Sequence, residues 1–498
     1  MSAAEAPQPS PGWRRRWARL QRIGSAVLHA PDRVAGLGPV RRARDRIAAL
    51  PDRRWFLFVL GIGLGIRVLL GPFTAQTDLD TFAESSTSLA YGGSLYTYLI
   101  VYPPGWLYIL NLLGRLVQVF VPANGIIVVD PNLLRLTMFY GNIFPTTLSV
   151  TPYALMEKSL LWSFDLLMSF LLYQIVLEWS GSVRGARMAF ALWFLNPLVI
   201  TATAVHGAYD GIPSFFLLAG IYLLLHRYPL SSGAAIGAGI GLKLFPIVIL
   251  PLVALILYRQ GHRKLGALAR SGGAWLLGAG GILAVLYWPP NIVRNSISAV
   301  ATGPGVGQSF GGFWIYSVTS LPGAAGPRSW LYYNAFLIST VAIIAVVAAV
   351  VTVAFLLRRR LGAADSFGPP VAYAAFLMLV ASYTVPTITQ AQYLLWTLPW
   401  LILVAAMDGR LLPTILWISS LTLVFYYLGL EGPYYLLLPA AQFAHWISYS
   451  TVLASVASWQ SEITWIRTTV TIAVFVVLVY AAIRSVWELT LSRRAALA

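Results

Sequence analysis

The sequence predicts an all-α fold, a polytopic integral membrane protein of about 12 (11–14) transmembrane helices with short interfacial helices in its first outer loop. Two observations predict it. The chain of 498 residues is 58% hydrophobic and only 10% charged, whereas a soluble domain carries about 25% charged residues. Its apolar runs, such as Trp55 to Gly71, Leu331 to Leu357, Leu411 to Leu430 and Ile466 to Trp487, approach or exceed the ~20 residues a helix needs to cross the hydrocarbon layer.

Residues 1–54 form a basic arm in which Arg14, Arg15, Arg16 and Arg19 interleave with Trp13, Trp17 and Leu20. Such amphipathic basic pieces lie on anionic lipid. No small-residue cleavage site follows the first apolar run, so a cleaved signal peptide is not expected. The first span covers about 55–71, residues 72–103 form an outer loop, and a second span starts near Pro104. Further spans fall near 155–178, 187–205, 211–226, 233–257, 273–290, 331–357, 367–385, 391–407, 411–430 and 466–487. Residues 55–290 read as a first transmembrane module, 291–330 as an outer loop, 331–487 as a C-terminal transmembrane module and 488–498 as a cytoplasmic tail.

The formal charge of +17 comes mostly from arginine. Basic residues gather in cytoplasmic loops of membrane proteins, so this charge reports topology and not a nucleic-acid partner. Arg259, Arg263, Lys264 and Arg270 mark one inner loop and Arg358, Arg359 and Arg360 another, with 291–330 and 431–465 outside. If 122–154 holds an extra pass and 233–257 is a hairpin broken at Pro246, then Arg184, Arg187 and Arg227 also fall inside. That version obeys the charge rule better and puts Lys243 near the outer face. Arginine over lysine in an Ala/Gly-rich chain suggests a GC-rich bacterial genome, hence a plasma membrane, with both termini cytoplasmic. The chain has no cysteine, which excludes disulfides and cysteine-based metal or redox chemistry.

Five places carry residues suited to chemistry. Asp78, Asp80 and Glu84 follow the first span, in a chain with 17 acids in all. Carboxylates at a membrane face are expensive to desolvate; here they serve either as an ordinary solvated loop or as the proton acceptor that a transfer to a hydroxyl requires. Tyr102-Pro103-Pro104 then starts a helix, since proline suits a first turn, and Tyr102 fits a substrate contact or an interfacial belt. His206 and Asp210, four apart between two apolar runs, can bind a ligand, share a proton or form a satisfied polar turn. Lys243 reads as the only lysine inside an apolar run, among Gly239, Gly241 and Pro246. An embedded cation is functional by default, here as a phosphate counter-ion; the alternative is snorkelling to an interface. Lastly, Gln390, Gln392 and Tyr393 start an outer-face helix and suit sugar hydroxyls and a sugar face, or merely cap and anchor that helix.

In this order the motifs resemble the GT-C superfamily of membrane glycosyltransferases, and most nearly the PIG-M-type mannosyltransferases of GPI-anchor synthesis and their bacterial relatives that use polyprenyl-phosphate-mannose. The likeness spans about residues 55–405: Asp78-x-Asp80, Tyr102-Pro103-Pro104, His206 to Asp210, Lys243 with Phe245-Pro246, and Gln392 to Trp396. The resemblance implies a sugar, by default mannose, passing with inversion from a polyprenyl-phosphate donor to a lipid-linked or glycan acceptor at the outer face. It implies residues 55–290 as the catalytic module, Asp78 as general base, Asp80 and Glu84 as positioning groups, Lys243 on the leaving phosphate, and Gln392 and Tyr393 beside the donor sugar. His206-Gly207-Ala208-Tyr209 stands where relatives often carry Gly-Gln or Gly-Asn. No metal or other cofactor is expected, because the leaving group is a monophosphate ester and Lys243 supplies the charge; a divalent metal at Asp78 and Asp80 is the alternative. Rival readings are a secondary transporter or lipid flippase, against which stand the absence of an internal repeat and the outer-loop position of the acids, and a non-catalytic subunit of a cell-envelope assembly.

Overall fold

The computed structural model describes residues 52–71, 102–120, 147–260, 265–288, 368–384, 391–427 and 459–491, with Phe82, Ser86 and five positions between 341 and 352. Within these residues the fold is all-α, as expected, and no strand occurs. Residues 1–51 of the basic arm, the predicted loop at 291–330 and the site residues Asp78, Asp80, Glu84 and Gln390 lie outside the described residues.

The helices are α1 (Asp52–Leu70), α2 (Pro104–Phe120), α3 (Thr147–Ser180), α4 (Val183–Phe194), α5 (Pro197–Ile200), α6 (Gly211–Leu225), α7 (Pro229–Leu242), α8 (Leu250–Gln260), α9 (Leu265–Leu286), α10 (Gly368–Thr384), α11 (Leu398–Met407), α12 (Leu412–Tyr427) and α13 (Gln460–Leu491). A π turn (Thr201–His206) extends α5, and 3-10 turns at Phe245–Ile249 and Ala391–Trp396 precede α8 and α11. Four stretches among the described residues are long and apolar enough to cross a membrane: Leu155–Ser180, Val183–His206, Leu265–Leu286 and Thr469–Glu488. Six shorter apolar helices accompany them.

Side-chain bonds gather the polar turns at one end of the bundle. Arg187 Nε donates to Asp52 Oδ1 at 2.9 Å, and Tyr222 Oη to Glu178 Oε2 at 3.0 Å. His226 Nε2 lies 3.1 Å from Glu178 Oε1, Gln260 Nε2 donates to the Leu224 carbonyl at 2.7 Å, and Gly368 makes room for the Trp179 indole. At that end too, Asp408 caps the turn after α11, accepting from Arg410 N at 3.2 Å, and accepts from Arg484 of α13 at 3.0 Å. Arg53, Arg54, Arg184, Arg187, Arg227 and Arg259 make this the basic end.

The expected single pass over 233–257 is a hairpin, which corrects the simpler span map and agrees with the broken version. Lys243 is extended (φ −158°, ψ 140°) and ends α7, and Gln260 returns to Leu224, beside the start of α7. Successive glycines weaken the helix before Lys243 and Pro246 cannot continue it. The pass expected at 187–205 is one span bent at Asn196-Pro197. Asn196 Oδ1 caps α5 by accepting from Leu198 N at 2.9 Å, Pro197 fits its first turn, and Asn196 Nδ2 donates to Ser419 Oγ of α12 at 2.9 Å.

In lipid, helices are held less by apolar burial than by close packing and internal polar bonds. Helices α7 and α9 show the first. They run parallel, and a Cβ at Gly233 or Gly237 would strike the backbone at Trp275 and Ala279. The second is a buried ion pair. Arg67 of α1 and Asp165 of α3 are 0% and 1% exposed, with Arg67 Nη2 2.9 Å from Asp165 Oδ2. Thr203 Oγ1 of the π turn lies 2.8 Å from the same oxygen, and Arg67 Nη1 donates to the Phe194 carbonyl at 2.8 Å. Lys158 corrects a further expectation: like Lys243 it is an embedded lysine, wholly buried, and its Nζ donates to the Gly71 carbonyl at 2.9 Å, joining α3 to the end of α1.

Candidate functional site

At the end of the bundle opposite the basic turns, three breaks in regular helix meet. The first follows the π turn. Gly207 takes a left-handed conformation (φ 81°) that a side chain disfavours, and Ala208 N closes the turn on the Ala202 carbonyl at 2.8 Å. This presents Tyr209 and Asp210 at the start of α6. The second is the extended Lys243, and the third is the 3-10 turn Ala391–Trp396.

Lys243 and Asp210, 33 residues apart, meet there, with Lys243 Nζ 2.6 Å from Asp210 Oδ1. The same oxygen accepts the Trp396 indole N–H at 2.7 Å. The Asp210 side chain is buried (2% exposed) and the Lys243 side chain less completely so (15%). Aromatic rings surround the cation: Nζ is 4.4 Å from the centre of the Tyr393 ring, 5.1 Å from Tyr209 and 5.5 Å from Trp396. Electron-rich ring faces attract a cation by about 0.5–2 kcal/mol each, so these rings favour an ammonium at this position.

Stacking fixes the rings. Trp396 lies between Phe245 and Tyr393, with centroids 4.3 Å away on each side. Tyr209 stacks on Trp106 at 4.0 Å with 7° between planes, and Tyr209 Oη donates to the Leu242 carbonyl at 3.3 Å. Phe82 closes this wall, 5.4 Å from Trp106, 5.6 Å from Tyr102 and 6.0 Å from Tyr209. Gly105 allows it: a Cβ there would strike the Gly241 carbonyl, so α2 starts directly against the end of α7.

The sequence-predicted residues fall as follows. Asp210, Lys243 and Tyr393 come together in one cluster. Tyr102 stands in the aromatic wall, 5.8 Å from Tyr209 by ring centroids. Gln392 is buried one residue before Tyr393, and His206 is buried on the π turn. The proton sharing considered between His206 and Asp210 gives way to a carboxylate engaged by Lys243 and Trp396. Sequence reasoning missed the roles of Trp396 as a donor to Asp210 and of Tyr209, Phe245 and Trp106 as walls. Each lies within or beside a motif already singled out, which was the available signal.

A fixed ammonium in an aromatic enclosure suits an anionic group on the cation with a sugar face against a ring. Comparison with known proteins points the same way. Residues 144–382, somewhat under half of the chain, match Glycosyltransferase family 87. This segment includes His206, Asp210 and Lys243; Asp78, Tyr102 and Tyr393 lie outside it. The chain is also 29% identical over 81 residues to GPI mannosyltransferase 1 of Debaryomyces hansenii, an alignment covering 16% of this chain and 19% of that protein. The two likenesses agree with the motif order: the chain is similar to Glycosyltransferase family 87 over this segment and, over a shorter stretch, to a GPI mannosyltransferase.

Proposed function

We propose that the protein transfers a sugar, mannose by the resemblance of its motifs, from a polyprenyl-phosphate donor to a lipid-linked or glycan acceptor, with inversion. The observation that carries this reading is the Lys243 ammonium held beside stacked aromatic rings where three helices break. A donor dissolved in the bilayer brings its phosphate to this depth, and an anion there needs a fixed cation. The charge on the leaving phosphate grows as the sugar departs, so Lys243 stabilises the transition state more than the bound donor. Tyr393 offers a face to the sugar, with Gln392 adjoining it. Asp78 takes the acceptor proton, and Asp80 and Glu84 position the acceptor. Phe82, two residues after Asp80 and four after Asp78, packs into the site wall.

The arginines of the basic end support a cytoplasmic setting for that end by the positive-inside rule, and on this reading the site faces the outer side of a bacterial plasma membrane. Purified protein given polyprenyl-phosphate-mannose and a lipid acceptor is expected to release polyprenyl phosphate. Asp78→Asn is expected to abolish transfer while donor binding persists, and Lys243→Ala to weaken donor binding at least tenfold with the fold intact. Unchanged donor affinity in Lys243→Ala overturns the phosphate assignment, and full transfer by Asp78→Asn removes Asp78 as the base.

A further inference from the structure

A site made only to hold a phosphate has no need of a carboxylate on the very ammonium that would hold it. Asp210 is that carboxylate. It is nearly fully buried, its Oδ1 lies 2.6 Å from Lys243 Nζ, and the Trp396 indole N–H holds the same oxygen in place at 2.7 Å. Asp210 therefore competes with any phosphate for Lys243. A phosphate oxygen at ordinary hydrogen-bond distance from Nζ stands about 5 Å from Asp210 Oδ1, close enough for like charges to oppose each other across a partly dry site.

We propose that Asp210 is a positioning residue that acts through Lys243, aiming the ammonium and promoting release of the lipid-phosphate product. The inference rests on the reading of Lys243 as the phosphate counter-ion. The donor phosphodiester carries one negative charge. In the transfer the anomeric C–O bond to phosphate breaks, its electron pair stays on the phosphate oxygen, and the acceptor oxygen bonds to the sugar as its proton passes to the base. The product is a phosphate monoester, whose charge near neutral pH is about −1.5 to −2. Lys243 favours that added charge and Asp210 opposes it. With the lysine alone, the product would bind more tightly than the donor and occupy the site. With the carboxylate present, the ammonium returns to Asp210 as the product leaves.

The test is product inhibition. With purified protein, the inhibition constant of polyprenyl monophosphate is measured for wild type and Asp210→Asn, beside KM and kcat for the donor. Asparagine keeps an acceptor for Trp396 and Lys243 but removes the charge. The expected result is about tenfold tighter inhibition by the monoester, a smaller fall in KM and a lower kcat, a pattern that mere loss of structure does not produce. Inhibition that is unchanged or weaker in Asp210→Asn overturns the proposal. Lys243→Ala separates the two claims: if it leaves monoester inhibition unchanged, the phosphate reading itself fails. If it weakens inhibition and Asp210→Asn also weakens it, only the role of Asp210 falls. A wild-type measurement guards against misfolding. The monoester is expected to bind no tighter than the methyl phosphodiester of the same polyprenol, and monoester binding more than tenfold tighter overturns the proposal without any variant.

Discussion

Replacing Asp165 by alanine removes the carboxylate at the centre of a buried network and leaves its guanidinium behind. Asp165 Oδ2 is approached by Arg67 Nη2 at 2.9 Å, Arg67 Nε at 3.3 Å and Thr203 Oγ1 at 2.8 Å. After the change Arg67 keeps the Phe194 and Gly63 carbonyls and the Phe194 ring, 4.5 Å from its Cζ. These groups solvate the cation but do not neutralise it. Breaking a buried pair from one side costs about 3–5 kcal/mol, whereas replacing both partners by apolar residues of similar size is often neutral. The expected order of stability is therefore wild type near Arg67→Met/Asp165→Leu, with Asp165→Ala and Arg67→Met each clearly lower. Monodispersity after heating in detergent measures this order, as a rate-like stability where unfolding is irreversible. A double variant no more stable than the worse single one would refute the reasoning, since it would show that packing volume and not charge sets the cost.

Two further predictions concern the site and the α7–α9 contact. Trp396→Phe keeps a ring between Phe245 and Tyr393 but loses the donor to Asp210, a bond to a charged acceptor contributing about 1.5–3 kcal/mol. A higher donor KM with near-normal folding is expected from steady-state kinetics, and an unchanged KM would show that Asp210 holds Lys243 without the indole. Gly237→Leu drives a side chain into the backbone at Ala279, and overpacking costs about 1–3 kcal/mol or more. Reduced yield of monodisperse protein is expected, while Gly266→Leu, where a Cβ meets nothing within 4 Å, is expected to be tolerated.

Much of this arrangement was legible in the sequence because it is local. The break at Lys243 follows from Gly239, Gly241 and Pro246 in eight residues, and the hairpin from the arginines on either side of it. The pairings were not legible, because they join distant parts of the chain. Asp210 meets Trp396 across 186 positions, and Arg67 meets Asp165 across 98. One signal for the second pair was available: Arg67 and Asp165 are lone opposite charges inside apolar runs, and a bilayer forces such charges to find each other. The π turn left no comparable mark, since Thr201 to Val205 reads as ordinary helix until Gly207 ends it. Lys158 escaped notice because it lies near the start of its apolar run and looks like a flanking interfacial residue.

The coincidence of three helix breaks at one level argues for a polar ligand there. Irregular backbone at membrane depth survives only where protein buries it or a cavity hydrates it, so each break carries a cost that a straight helix avoids. Had α7 continued unbroken through Lys243, the chain would cross to the far side and the lysine would leave Asp210. A helical turn in place of Gly207 would rotate Tyr209 away from Trp106. The breaks are therefore what turn outward-running helices back and point their ends at one another. A chain that needed only to span the bilayer would have no reason to keep all three. One that must meet a charged group at the end of a lipid tail needs backbone and side chains turned toward that group from several helices at once, and this follows whichever sugar the lipid carries.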